Sequence, residues 1–202
     1  MSDTPEHQDP AEAPAHELDA DLTDLAGATA GEVRRYLTTI TEVAAGANPD
    51  AAIPLLLLAV SDLLAAGSRL GAIVDVVPAQ RFEPDDGPDV DLEPLRRGLE
   101  NLLEGIDEYT EVSDPLVTAE VAVVSLSGDL VTVAQAAVQG LQHFEAGHTS
   151  EALWWWQYSY LSSWGERAAA ALRALLSVLG HLRLDVPDDV AAEAEFEALH
   201  QP

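Results

Sequence analysis

HTSEALWWWQYSYLSSWGERAAAALRALLSVLGHLRL, residues 148–184, reads as one aromatic-rich helix and sets the fold class. An α-helix turns about 100° per residue, so Trp154, Trp155 and Trp156 cannot all face one core. Leu153, Leu161, Trp164, Ala168, Leu172, Leu175 and Leu179 define a buried stripe, with Trp154 and Tyr160 near its edges. Gln157 falls within that stripe. A buried amide without partners costs a few kcal/mol, about 1–3 by mutational measures, so Gln157 is expected to bond another helix. Trp156 lies on one flank near Arg167, and Trp155 points the other way with Ser159, Ser162, Glu166 and Arg173. Either the connectors around the middle helix cover Trp155 or it anchors a partner, as tryptophan does at interface hot spots.

Working outward, four more stretches repeat apolar residues at three and four. The first helix is predicted over 18–46, carrying Leu22, Leu25, Val33, Tyr36, Ile40 and Val43 and stopped by Gly46. A second, at 50–73, has Asp50 as its expected N-cap and is apolar nearly all round, which places it centrally. Asp62 and Arg69 are its main charged residues, read as a partly buried pair or as the lining of a polar pocket. A third is predicted over 91–107, capped by Asp91, and a fourth over 125–146, ended by Gly147. The fifth covers 150–182, with Thr149 or Ser150 as cap. The connector DEYTEVSDPLVTAEVAVV offers one short strand at 121–124, which has nothing to pair with. The fold class is therefore all-α: a single-domain bundle of about five helices, two antiparallel hairpins plus a middle helix. The domain is assigned to 18–183, between a disordered acidic tail at 1–17 and an acidic tail or frayed helix at 184–202.

The formal net charge is −27, all nine basic residues are arginine, and cysteine is absent. This excludes disulfides and thiolate metal sites, and it argues against direct binding to nucleic acid or an anionic membrane, both of which need basic patches. A basic protein partner fits. Residues 1–24, 83–93 and 185–197 hold eight, six and six carboxylates. The run AAIPLLLLAVSDLLAAG is broken by Asp62 short of the roughly 20 apolar residues that a membrane span needs. With no basic, apolar leader at the N-terminus, the expected location is the cytoplasm.

Chemistry is sparse. The six histidines form no HExxH or tight ligand spacing, and no nucleophile elbow or dinucleotide loop is present. Asp89, Asp91 and Glu93 alternate without the order of a calcium loop. Glu100, Glu104, Asp107 and Glu108, placed along the polar side of the middle helix, resemble half the magnesium site of an all-α nucleotide hydrolase. No catalytic, cofactor-binding or metal-ligating residue is assigned, and no cofactor is expected.

Three stretches in order, PLLLLAVSDLLAAGSRLGAIVDVVPAQRFEPDDGPD, DEYTEVSDP and EALWWWQYSYLSSWGERAAAALRAL, resemble the bacterial, mainly actinobacterial, domain of unknown function 5063 family. The resemblance covers roughly 20–183. It implies a cytoplasmic, all-helical protein and brings no catalytic residues. Serine stands at 113, where the family pattern has an aromatic. The leading expectation is a non-catalytic protein–protein interaction module with an acidic surface. One version has that surface mimic nucleic acid before a basic protein. The alternatives are the magnesium-dependent nucleotide hydrolase and a small-molecule pocket roofed by Tyr109, Trp155 and Tyr158. Candidate interaction or pocket residues are Trp155, Tyr158, Tyr109, Glu111, Asp114, Asp62 and Arg69.

Overall fold

The computed structural model describes residues 12–78, 90–114 and 118–184. The acidic segments 1–11 and 185–202, and Asp89 with the loop before it, lie outside the described residues.

Helix α1 runs Glu12–Ala44, starting ahead of the predicted 18. It buries Val33, Tyr36, Ile40 and Val43 of the expected stripe together with Ala26 and Ala30, and leaves Leu22 and Leu25 half-buried. Gly46 (φ 80°) and Asn48 (φ 52°) turn the chain through left-handed conformations. A 3₁₀ turn, Pro49–Ala51, precedes α2, Ala52–Ala72. Asp50 lies inside that turn and does not cap α2, whose N-cap is Ala51. Pro49–Ala72 is long and apolar enough to cross a membrane, and here it buries Leu56, Val60, Leu63 and Leu70 in the bundle core.

Helix α3, Glu93–Leu102, stops well short of 107. Gly105, at φ 85°, reverses the chain after it. Asp91 sits just ahead, its Oδ1 accepting from the Glu93 backbone N–H at 3.0 Å. The predicted connector is then a β-hairpin, β1 Glu108–Asp114 and β2 Thr118–Ser125, antiparallel with Tyr109 opposite Val124 and Glu111 opposite Ala122. The strand judged partnerless at 121–124 thus pairs with EYTEV, its own upstream neighbour. Helix α4, Leu126–Glu145, follows directly, and Gly147 (φ 85°) turns the chain into α5, Thr149–Ser159. Neither Thr149 nor Ser150 caps α5; the Ser150 hydroxyl is donated to Glu151 instead.

A π turn, Tyr160–Trp164, joins α5 to α6, Gly165–Leu184, as one continuous helix. Trp156 and Trp164 are eight apart, about 80° on a plain α-wheel, and the extra residue of a π turn brings them to within about 20°. Both indoles are buried, and Trp164 Nε1 donates to the Trp156 carbonyl at 3.3 Å. The same turn throws Leu161 out to 64 % exposure, against its predicted place in the stripe.

The aromatics need small neighbours. A Cβ at Gly67 would come within 2.5 Å of the Trp164 and Tyr160 rings, and one at Gly140 would overlap the Trp156 indole, whose Nε1 donates to the Ala137 carbonyl at 3.1 Å. Gln157 is buried and bonded as expected. Its Nε2 donates to the Leu70 and Val74 carbonyls at 2.9 and 3.2 Å, and its Oε1 accepts from Val76 N–H at 2.8 Å. One amide thus ties the end of α2 and the segment after it to α5. The result is a helical bundle with one small hairpin at its side.

Candidate functional site: the hairpin and its clamp

Alternation along β1 sends Tyr109 and Glu111 toward the bundle and Glu108, Thr110 and Val112 outward. The inward pair meets the first turn of α4 and the start of α6. The Tyr109 hydroxyl donates to Asp129 Oδ2 at 2.5 Å. Arg167 Nη1 stands 3.3 Å from Glu111 Oε2 and 3.6 Å from Asp129 Oδ1. Farther along α6, Arg173 Nη2 donates to the Thr110 carbonyl at 3.1 Å. Five side chains from three elements therefore clamp the hairpin.

Asp107 secures the base. Its Oδ1 accepts from Ser127 N–H at 2.7 Å and its Oδ2 from the Ser125 and Ser127 hydroxyls at 2.9 and 2.8 Å. Ser125 Oγ in turn accepts from Gly128 N–H at 3.0 Å, so serine and aspartate together satisfy the open N-terminus of α4.

Asp129 is buried, and its carboxyl lies above the ordinary carboxylate range because burial penalises the charge; the Tyr109 and Arg167 contacts pull it partway back. Burial first, then the bond to Asp129, raises the Tyr109 phenol. Tyr36, whose hydroxyl donates to the Leu130 carbonyl at 2.8 Å, is raised by its burial and by Asp129. Both phenols stay protonated at neutral pH and serve as donors. Asp129 has each oxygen committed, to Tyr109 and to Arg167. The chemistry on view is fastening.

The other candidates scatter. Asp114 pairs in register with Thr118 at the far end of the hairpin. Trp155 is half-buried at the opposite end of α4, stacked on His143 at 6.1 Å and edge-on to Trp154 at 5.2 Å. Tyr158 lies exposed, parallel to Trp154 at 5.0 Å. Since Asp129 and His143 are about 21 Å apart along α4 at 1.5 Å per residue, Tyr109 cannot roof a pocket with Trp155 and Tyr158. Asp62 and Arg69 are both exposed and form no ion pair with each other. Asp62 edges a cleft of about 140 Å³ between α1 and α2 with Glu32, Arg35 and Tyr36. A larger cleft of about 440 Å³, between Leu22 and the α4–α5 turn, involves none of the candidates.

The half-site for magnesium dissolves. Glu100 pairs with Arg96 on α3, Glu104 is in the turn, Asp107 caps α4 and Glu108 opens β1. Among the described residues no group of three or more acids and histidines could hold a metal ion.

The hairpin turns three valines to solvent. Val112, Val121 and Val123 are 39 %, 64 % and 70 % exposed, with Thr110 and Glu108 on the same face.

The family model described as domain of unknown function (DUF5063) matches residues 20–181. The chain belongs to this family. Protein BF1032 from Bacteroides fragilis is similar in fold, with a TM-score of 0.55 at 15% identity over 83% of this chain and 92% of its own. No curated protein matches. In this DUF5063 member residues 108–114 of the motif DEYTEVSDP, which carried part of the resemblance, form strand β1, and Tyr109 and Glu111 are its inward residues. Sequence reasoning missed their partners. Asp129 reads as an ordinary acid in a helix's first turn, and Arg167 as one arginine on a long helix. The available signal was the alternation of EYTEV opposite AVV, which a hairpin would have turned into a polar inner side seeking charged partners.

Proposed function

We propose that this DUF5063 member is a protein-interaction module that receives a basic protein on the outer face of its hairpin. The outward trio Val112, Val121 and Val123 carries the reading, because aliphatic residues gathered on a rigidly clamped surface gain nothing from solvent. Clamping favours binding, since a pre-ordered surface loses little entropy on association. The net charge of −27 selects partners of opposite sign and speeds their encounter.

A photo-crosslinking residue at position 123 tests this in the full-length protein, with one at exposed Ala65 on α2 as control. The expected result is a basic protein captured from position 123 only, which then binds the purified chain directly and fails to bind Val121→Asp/Val123→Asp. Undiminished binding by the folded double variant refutes the reading.

A further inference from the structure

Among the described residues no strand lies on the β2 edge of the hairpin, beside the exposed valines. Leu126 N–H donates to the Asp107 carbonyl at 2.8 Å, one step beyond the pair Glu108–Ser125. That bond phases the antiparallel ladder, in which bonded and unbonded pairs alternate. Asp107, Tyr109 and Glu111 bond across the hairpin, while Thr110 and Val112, with Val123 and Val121 opposite, turn their backbone groups away from it. Arg173 agrees with this phase, since it reaches the Thr110 carbonyl from outside. On the β1 edge the Thr110 carbonyl is thereby taken by an arginine of α6. Across the hairpin, the N–H and C=O groups of Val121 and Val123 point outward from β2, and among the described residues the sheet ends there.

We infer that β2 is a strand-addition site for an extended basic segment of a partner protein, with apolar side chains at alternate positions. This rests on the interaction reading above and gives it a binding mode. An added strand would bond Val121 and Val123 through the main chain while its apolar side chains extend the valine face. It would also complete a three-stranded sheet, which is more stable than an isolated pair. Exposed Glu108 shares the face of the valines, so arginine or lysine in the segment meets opposite charge. A second copy of this chain would bring another −27 to the same place.

The test uses the full-length protein with a capped eight-residue peptide alternating valine and arginine, and the same peptide N-methylated at every residue. The methylated peptide keeps charge and apolarity but loses every backbone donor. The expected result is slowed amide exchange at Val121 and Val123 with the first peptide, unchanged exchange at Ala122 and Val124, and about 30-fold weaker binding by the second, the worth of two backbone bonds. Equal binding of both peptides, or binding of neither, overturns strand addition. If the crosslinked partner still discriminates against Val121→Asp/Val123→Asp in that case, the interaction reading survives alone. Concentration-dependent protection of Val121 and Val123 without peptide overturns the basic occupant in favour of self-association.

Discussion

Replacing Tyr109 by phenylalanine removes one oxygen from the clamp and leaves the ring in place. Asp129 Oδ2 then loses the donor 2.5 Å away, and the buried carboxylate keeps only Arg167, at 3.6 Å from its other oxygen. A hydrogen bond to a charged group contributes about 1.5–3 kcal/mol, and that is the expected loss at neutral pH. The loss must depend on pH. The folded Asp129 pKa is already raised above 3.8 by burial, so its contribution to stability is greatest below that value and falls as pH climbs through the folded one. Without the phenol the folded value rises further and the fall extends to higher pH. Wild type and Tyr109→Phe should therefore differ little near pH 3, where the carboxyl is neutral in both, and by the full amount above the variant's folded pKa. Urea unfolding followed by tryptophan fluorescence across that range measures it, and amide exchange in 108–114 and 118–125 shows whether the hairpin loosens first. A difference that stays constant with pH, or below about 0.5 kcal/mol at neutral pH, refutes the clamp.

Gly140→Ala should destabilise by about 1–3 kcal/mol in urea despite alanine's better helix propensity, because the new methyl displaces the Trp156 indole from Ala137. Gly27→Ala, with nothing within 4 Å of the added Cβ, should stabilise by up to about 1 kcal/mol in the same assay. Gln157→Leu should lower stability by about 2–4 kcal/mol and speed amide exchange at Val76, whose buried N–H loses its acceptor. Asp107→Ala should reduce stability by about 1–2 kcal/mol, read by urea unfolding, through loss of a cap to α4.

The bundle was legible because its stripes are long and regular. Tyr36, Ile40, Leu130 and Leu175 sit in the core where the period of 3.6 places them. Gln157 was legible for a thermodynamic reason: an amide on an apolar stripe must find partners, and it does. Leu161 was misread because a π turn leaves no mark in the period, only a shift visible once Trp156 and Trp164 are known to face inward together. The hairpin escaped because each half is weak by itself. EYTEV is polar enough to pass for a connector, and its pairing with AVV depends on a register that neither strand reveals alone. The clamp joins residues 20, 38 and 56 positions apart, beyond the reach of local pattern.

The hairpin's orientation is the strongest physical argument for a function. A two-stranded sheet packed on a bundle ordinarily turns its apolar face inward. Here three of the four valines in its strands face out, while Tyr109 and Glu111 occupy the inner side with Ala122 and Val124. A one-residue slip would exchange the faces, and each valine buried in this way would gain up to about 1.5–3 kcal/mol. The native register forgoes that gain and holds position with a buried acid, a phenol and an arginine. Stability alone does not select this arrangement. The interaction face proposed above would select it, which is why the search for a partner begins at Val121 and Val123 and not at the tryptophans.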